Sequence, residues 1–587
     1  MSSRSVGDLR QPLHEHFGFD SFRGPQEEIC NHVLDGDDAV VIMATGDGKS
    51  LCYQLPAMVN EGLTLVVSPL IALMDDQVHA LQQKGLPAAR IHSNLSAEER
   101  RTTLARARDG EFQLLYVTPE RFRVDGFLRS ISDLEIDLFA VDEAHCLSHW
   151  GHDFRPGYQQ LGRVRASLGS PPTIALTATA TEAVQKDIRE SLGIPEARLW
   201  HTGIDRPNLF LAGAERNGFD QKLQRACELV ERISGPKIVY TALIKELRAI
   251  EEALLRKGHK PLVYHGALSP EERRQQQARF LSDEAELVLA TPAFGMGVDK
   301  KDIRLVFHWQ MPKTLEAYYQ EIGRAGRDGQ PSLCEICFDP DDLAVQRNFV
   351  EWANPSRDFL TRVVTTLAAL GDRASGIDEE GLRIELGLEK RKQDGRVGTA
   401  LRLLRTAGIT EGELGRGLRL LRVPDTEELD EWVREDKHDQ DLRALLTMLR
   451  YAQMNGDASG TVDGTECRQQ VLNRHFGLPD GDPCGVCDAE QATDEWLEEH
   501  FPPASRATPR PIPEKSTPKV DSTEETILTG EDFPVERGQW IKVRGQGLCA
   551  VTRVFKTHRG WRAEVERARD LKSTTIDLWR GGWQIVE

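Results

Sequence analysis

Short, continuous apolar runs recur through the first part of the chain, at residues 39–43, 63–67, 114–117, 136–141 and 173–176. They return at 237–240, 262–264 and 286–290. A run that is apolar at nearly every position, not at alternate ones, predicts a strand buried on both faces, as in a parallel sheet. Strands of this kind belong to an α/β architecture. Several runs close on hydroxyl, proline or small residues: Ser68-Pro69, Thr118-Pro119, Thr177-Ala178-Thr179 and Thr291-Pro292. Such ends can donate hydrogen bonds to phosphates at a sheet's carboxyl edge. Any one of them alone is explained as a mere strand end.

Beyond residue 350 the pattern changes. Residues 359–370 and 394–407 have helical spacing, the second with apolar Val397, Ala400, Leu401, Leu403 and Leu404. Residues 377–388 read as a short helix and turn. Residues 409–423 read as a hairpin with Gly412, Gly415 and Gly417 near its tip. Two helices at a turn and then a hairpin is the winged-helix pattern. A plain helix bundle is the alternative. Another helix covers 442–451, and 500–522 is a Pro-, Ser-, Thr- and charge-rich stretch that reads as a flexible tether. From 533 to 587 apolar and polar residues alternate with Gly at turns, which predicts a small β-barrel. The domain boundaries that follow are 1–205 and 206–350 for two parallel-sheet domains and 356–425 for the winged-helix-like region. A helical module occupies 436–490, the tether 491–532 and the barrel 533–587.

Composition changes this picture in three places. The 587 residues exceed one core, so about three to five domains are expected. Residues 3–19 lack an apolar run flanked by basic residues, and no stretch is apolar enough to span a bilayer. A cytoplasmic protein with no membrane partner is therefore expected. The ten Cys are scattered except for Cys467, Cys484 and Cys487, which suits a reducing compartment and one metal site. The net charge of −19 by itself argues against nucleic acid. Yet it is a global sum, and a channel needs only local positive potential.

The candidate chemistry clusters at strand ends. After 39–43 comes Ala44-Thr45-Gly46-Asp47-Gly48-Lys49-Ser50 and then a helix from Leu51. Strand, Gly-containing turn, Lys-Ser and helix form a phosphate-loop layout. Backbone N–H groups of Thr45, Gly46 and Gly48 would cradle phosphates, Lys49 would reach the β- and γ-phosphates, and Ser50 would hold Mg²⁺. Met43 stands where the strict pattern has Gly, and Asp47 places a carboxylate near the phosphates. It either faces solvent or weakens nucleotide binding. After 136–141 come Asp142 and Glu143. Asp142 can hold Mg²⁺, and Glu143 can orient and deprotonate a water for attack on a γ-phosphate. Upstream, Gln26 can pair with the N6 and N7 edge of adenine, Phe19 can stack on the base, and Arg23 lies between them in sequence. A helix-entry staple is the alternative for this stretch. Arg324 and Arg327, three apart, share one helix face. Facing a phosphate site, such a pair stabilises charge in phosphoryl transfer.

These motifs, with Trp150-Gly151-His152-Asp153-Phe154-Arg155-Pro156 following Asp142-Glu143-Ala144-His145, resemble the RecQ DNA helicases of superfamily 2. DEAH-box RNA helicases lack that aromatic loop. The resemblance implies two tandem RecA-like domains, ATP and Mg²⁺, and 3′ to 5′ movement on single-stranded and forked DNA in recombination and repair. In a bacterium it implies association with the nucleoid. It also implies that Ser68, Trp150, His152, Phe154 and Arg155 sense DNA and couple it to hydrolysis. It covers about 8–350 strongly, the cysteine region partly and the tail not at all. Tyr240-Thr241-Ala242-Leu243 and Tyr264-His265-Gly266-Ala267 depart from the family pattern, with small changes in DNA-backbone contact expected. The family's winged helix usually follows the zinc module, whereas here it precedes it. An RNA-directed unwinder, a double-strand translocase and a scaffold with a dead motor are the rival readings. Intact Lys49, Asp142, Glu143, Arg324 and Arg327 count against the last.

Cys467, sixteen residues, then Cys484-Gly485-Val486-Cys487 is the spacing of the family's Zn²⁺ module. The module's fourth Cys falls at Glu490 here. Structural zinc takes four ligands, so Glu490, Asp488, His475 or His500 is needed to complete the set. The Cys334-Glu335-Ile336-Cys337 pair reads as core. The last region, 533–587, carries eleven Lys and Arg against six Asp and Glu, with Trp540, Trp561, Trp579 and Trp583. Basic groups among aromatics suit nucleic acid. A barrel core or a protein-docking module explains them equally.

Overall fold

The structure is a computed structural model that describes residues 8–124, 126–148, 155, 157–295, 298, 300–388, 394–425, 427–429, 435–454 and 466–503. In the tail it describes 540–543, 547–557, 560–567, 573–577 and 583–586. Two compact units divide the chain, Met1–Ser505 and Arg506–Glu587.

The first parallel sheet has seven strands: β1 (Ala39–Ile42), β2 (Leu63–Val67), β3 (Ala88–Ile91), β4 (Leu114–Val117), β5 (Ile136–Val141), β6 (Thr173–Thr177) and β7 (Arg198–His201). Their order across the sheet is β3-β4-β2-β5-β6-β1-β7. Strand β1 shows why its residues are apolar without alternation. Ala39 and Val41 join one hydrophobic cluster, and Val40 and Ile42 join another. Helices cover both faces, so neither face tolerates a polar side chain. The second sheet has six parallel strands: β8 (Leu209–Glu215), β9 (Lys237–Tyr240), β10 (Leu262–Tyr264), β11 (Leu287–Ala290), β12 (Leu305–His308) and β13 (Ser332–Phe338). Their order is β10-β11-β9-β12-β13-β8. The apolar pattern leaves β3, β7, β8 and β12 unmarked, since each is short or carries polar residues. Both Cys334 and Cys337 are buried in β13, and burial pushes each thiol up to about 12, as core residues require.

Next come helices Arg357–Leu370, Glu379–Glu385 and Arg396–Thr406, then the hairpin β14 (Thr410–Glu413) and β15 (Arg416–Leu420). They enclose their own core, from Phe359 to Leu418. This is the expected winged-helix-like order. Gly412 has φ 78°, and a Cβ there would collide with the Gly417 carbonyl, so the hairpin closes only around glycine.

Among the described residues the cysteine module has no core cluster of its own. Leu445, Met448 and Tyr451 of helix Glu435–Ala452, with Leu472 and Phe476, join the cluster that holds Tyr318, Tyr319 and Ile322 of the second sheet domain. The Leu211 N–H of β8 donates to Val486 O at 3.1 Å, and the Asp488 N–H donates to Leu211 O at 3.0 Å. Arg468, fully buried, holds the Asp488 carboxylate and donates to Tyr451 O at 2.8 Å.

The expected tether at 491–532 requires a correction. Residues Thr493–His500 form a helix whose Trp496 and Leu497 are buried against the second sheet domain. Trp496 stacks on Phe210 at 4.8 Å between ring centroids, and Arg232 Nε donates to Phe501 O at 3.1 Å. Two adjacent apolar side chains anchor residues 493–501 to the second sheet domain, and the expected tether from 504 onward lies outside the described residues.

In the second unit, β16 (Trp540–Val543), β17 (Gly547–Thr557), β18 (Gly560–Arg567), β19 (Ser573–Asp577) and β20 (Trp583–Val586) form an antiparallel sheet in the order β19-β18-β17-β16-β20. Val543, Ala563 and Val565 are buried. Among the described residues no ladder joins β19 to β20, so the described pairing is that of a five-stranded antiparallel sheet. Among the described residues no helix is long and apolar enough to cross a membrane.

Trp496→Ala should leave a cavity against Phe210. The expected loss is about 3–5 kcal/mol in denaturant unfolding of the second sheet domain, where a free tether would show none.

Candidate nucleotide cleft and cysteine cluster

The carboxyl ends of β1 and β5 open into a cleft of about 610 Å³. Residues 43–50 leave β1 and turn into helix Leu51–Val59. Gly46 (φ 98°) and Gly48 (φ 81°) take left-handed conformations that let the loop fold back on itself. Lys49 Nζ donates to Met43 O at 3.0 Å and Ala44 O at 3.3 Å. The ammonium thus satisfies itself on the loop's own carbonyls. Burial lowers the Lys49 pKa, while the charges of Glu143, Asp142 and Asp47 work against that shift.

Asp142 and Glu143 follow β5 on the floor of the cleft. Desolvation, then the neighbouring Glu143 charge, raise the Asp142 carboxyl to about 7, against the pull of Lys49. Glu143 has φ 48°, a left-handed conformation outside glycine. Such backbone costs on the order of 1–3 kcal/mol and tends to gather at functional sites. Its Oε2 lies 3.4 Å from His145 Nδ1, which in turn is 2.9 Å from Thr177 Oγ1 at the end of β6. The carboxylate pair is thereby tied to the neighbouring strand end.

Gln26 packs on the phosphate loop. Its Nε2 donates to Asp47 O at 2.9 Å and Gly48 O at 3.3 Å, and its Oε1 accepts from the Arg23 N–H at 2.9 Å. Both ends of the amide are engaged, so reading a purine edge requires exchanging these bonds. Phe19, 48% exposed, lines the cleft with Arg23, and Lys84 lies 5.8 Å from the Phe19 ring centroid.

The opposite wall comes from the second sheet domain. Helix Leu315–Ile322 ends before Gly323, so Arg324 and Arg327 stand on the turn that follows it and not on the shared helix face expected from their spacing. Arg324 is buried and donates to Gly295 O, against a glycine that leaves no room for a Cβ. Arg327 packs its Cγ 3.4 Å from the position a Cβ on Gly46 would take. Lys49, Ser50, Asp142, Glu143, Arg324 and Arg327 therefore line one cavity. Lys301 also lines it, unforeseen in the sequence because it belongs to no strand-end motif.

The predicted DNA-coupling set is divided. Trp150, His152 and Phe154 lie outside the described residues. Arg155 Nη1 donates to Pro69 O at 2.8 Å, next to Leu70 in the cleft wall. Ser68 needs correction as a DNA contact: it is 1% exposed, and its N–H donates to Val117 O at 3.2 Å, extending the β2–β4 ladder.

Away from the cleft, Cys467, Cys484, Cys487 and Glu490 bring their ligand atoms within 4.8 Å of one another. Cys467 Sγ and Cys487 Sγ are 3.9 Å apart, and Glu490 Oε2 lies 3.4 Å from both Cys484 Sγ and Cys487 Sγ. The other candidates for the fourth ligand are engaged elsewhere. Asp488 is held by Arg468 and the Gly213 N–H, His475 pairs with Glu316 at 2.7 Å, and His500 Nδ1 bonds Trp496 O at 3.0 Å.

Residues 23–188 match the DEAD/DEAH box helicase model, and 221–329 match the helicase conserved C-terminal domain. The chain is 39% identical over 377 residues to the probable ATP-dependent DNA helicase RecS of Bacillus subtilis, covering 64% of this chain and 75% of that protein. The chain belongs to the RecQ family of superfamily 2 helicases. ATP-dependent DNA helicase RecQ of the same organism is 44% identical over 341 residues, 58% of this chain and 57% of that protein. RecQ of Haemophilus influenzae is 42% identical over 332 residues, 57% of this chain and 53% of that protein. The chain thus spans little more than half the length of these two RecQ proteins. Against the RecQ pattern, the cluster exchanges one thiolate for the Glu490 carboxylate. Three sulfurs and one oxygen, mutually close, form a four-donor set of the kind structural zinc takes.

Gly295→Ala should force the Arg324 guanidinium out of its place. Overpacking of this kind costs about 1–3 kcal/mol, to be read as a lower urea midpoint at unchanged m-value.

Proposed function

We propose that this protein is an ATP-driven DNA helicase that moves 3′ to 5′ along single-stranded DNA and opens forked duplexes in recombination and repair. One observation carries the proposal: the Lys49, Asp142 and Glu143 wall and the Arg324 and Arg327 wall face a single cleft. When phosphates enter, Lys49 exchanges its bonds to Met43 and Ala44 for the β- and γ-phosphates. Ser50 and Asp142 are the residues that would hold Mg²⁺, which when bound draws charge from the phosphate oxygens. Glu143 orients the attacking water and takes its proton, and the arginines stabilise the charge that develops on the transferred phosphoryl group. The left-handed backbone at Glu143 supports this role, because it aims the carboxylate at the cost of local strain. Arg155 donates to Pro69 O beside the cleft wall, which supports a role in coupling bound DNA to hydrolysis.

The cysteine cluster is assigned to a structural Zn²⁺ held by Cys467, Cys484, Cys487 and Glu490. Bound zinc neutralises thiolates that burial would otherwise disfavour. The basic tail unit is assigned to a second DNA contact.

Lys49→Ala and Glu143→Gln should each abolish strand separation and ATP turnover, while Glu143→Gln should still bind ATP. Near-normal turnover by either variant rejects the assignment. Wild type should displace the strand from a 3′-tailed or forked duplex and not from a 5′-tailed one. Purified protein should carry about one zinc per chain, as structural sites do. Cys484→Ser should lose the metal and Glu490→Ala should surrender it faster to a chromophoric chelator. A metal-free, well-folded wild type would overturn the zinc assignment.

A further inference from the structure

Between the two sheets the chain passes through Ile204-Asp205-Arg206-Pro207-Asn208, a segment that no motif reading singled out. Two of its residues grip the turn that carries the arginines, and a third meets the helix that leads into it. Ile204 O accepts from Tyr319 Oη at 3.0 Å. Asn208 Nδ2 donates to Gly326 O at 2.7 Å and Gln330 O at 3.0 Å. Arg206 Nη2 donates to Ala325 O at 2.9 Å and Gly326 O at 2.8 Å. Arg206 also reaches the other domain: its Nη1 donates to Thr45 O of the phosphate loop at 3.3 Å. One planar guanidinium, with five donors in fixed geometry, thus holds carbonyls from both walls of the cleft. Pro207 restricts the Arg206 backbone to extended conformations, so the fork is presented from a stiff stem.

We propose that Arg206 is a positioning residue that sets the register of Arg324 and Arg327 against the phosphate loop. The inference rests on the cleft being the ATP site. Lys49 must leave the Met43 and Ala44 carbonyls to meet phosphates, which removes two of the bonds that shape the loop. The Arg206 bond to Thr45 is independent of that exchange. It ties the loop to the arginine turn whether or not phosphates are present. Gly323 lies against the same residue: a Cβ there would sit 3.3 Å from Thr45 Cβ. The spacing between the two walls is therefore set at Thr45, by a hydrogen bond and a close contact. Asn208 is the internal comparison, because it holds the same turn without touching the phosphate loop.

The test measures two quantities in the full chain: steady-state ATP turnover at saturating single-stranded DNA, and amide hydrogen exchange without nucleotide. Arg206→Ala should lower kcat on the order of 100-fold, as misplacement by about 1 Å does, with little change in the KM for ATP. It should speed exchange both at 44–50 and at 323–329. Asn208→Ala should speed exchange at 323–329 and leave 44–50 at the wild-type rate. Arg206→Lys, which keeps charge but not the fork, should fall between wild type and Arg206→Ala in both readouts, and it carries the test if the alanine variant fails to fold. Wild-type exchange at 44–50 in the Arg206 variants, equal effects of Arg206→Ala and Asn208→Ala there, or a rise in KM with kcat intact each overturns the proposal. Exchange is read without hydrolysis. A wild type that turns over no ATP rejects the motor reading while the link between the two walls is still judged by the exchange rates.

Discussion

Like charges are held together in this cleft before anything arrives to neutralise them, and most of the surrounding structure serves that constraint. Asp142 and Glu143 are consecutive, and burial and mutual repulsion drive the Asp142 carboxyl upward. Lys49 is driven downward by the same burial. In water neither arrangement would matter much; in a desolvated cleft both sites favour a ligand that brings a cation and a polyanion together. The parallel sheet makes this possible. Its strands end side by side, so a phosphate loop after β1 and a carboxylate pair after β5 reach the same space. His145, bridging Glu143 and Thr177, ties the end of β6 to the pair.

The second sheet domain supplies the opposite wall, and it does not stand alone. Its core is completed by the cysteine module, whose Tyr451 and Phe476 pack on Tyr318 and Tyr319 at centroid distances of 5.3 and 5.5 Å. Those tyrosines lie on the helix that leads to Arg324. The same helix carries Glu316, which meets His475 of the module. Burial works to raise the Glu316 carboxyl, but the hydrogen bond and charge of His475 outweigh it and hold it down at about 2. The cysteine cluster is thus part of the packing that steadies the arginine wall.

Much of the motor was legible residue by residue. The strands β2, β4, β5, β9 and β10 lie where continuous apolar runs place them, because burial on both faces leaves a pattern that no local interaction imitates. Lys49, Ser50, Asp142, Glu143, Arg324 and Arg327 were legible because each sits in a short motif, although the arginines occupy the turn after helix Leu315–Ile322 and not one helix face. Ser68 was misread for a related reason. A strand end looks the same in sequence whether the next residue faces the cleft or extends the ladder. Trp496 was missed because a lone Trp-Leu pair in an acidic stretch has no periodicity. Its partner Phe210 lies far away along the chain.

Local order along the chain, by itself, determined the two α/β domains, the phosphate loop, the carboxylate pair, the arginine pair and the three cysteines. Each depends on neighbours within a few residues, and so on backbone geometry that the local sequence dictates. Tertiary structure decided which candidate joins the cysteines, since Asp488 is held away by Arg468 and His475 by Glu316. It alone decided that the cysteine module shares a core with the second sheet. It alone brought Arg206 to the Thr45 carbonyl. These outcomes are contacts between segments distant in sequence. They are set by which buried polar group finds a partner when whole surfaces pack, and no local pattern carries that information.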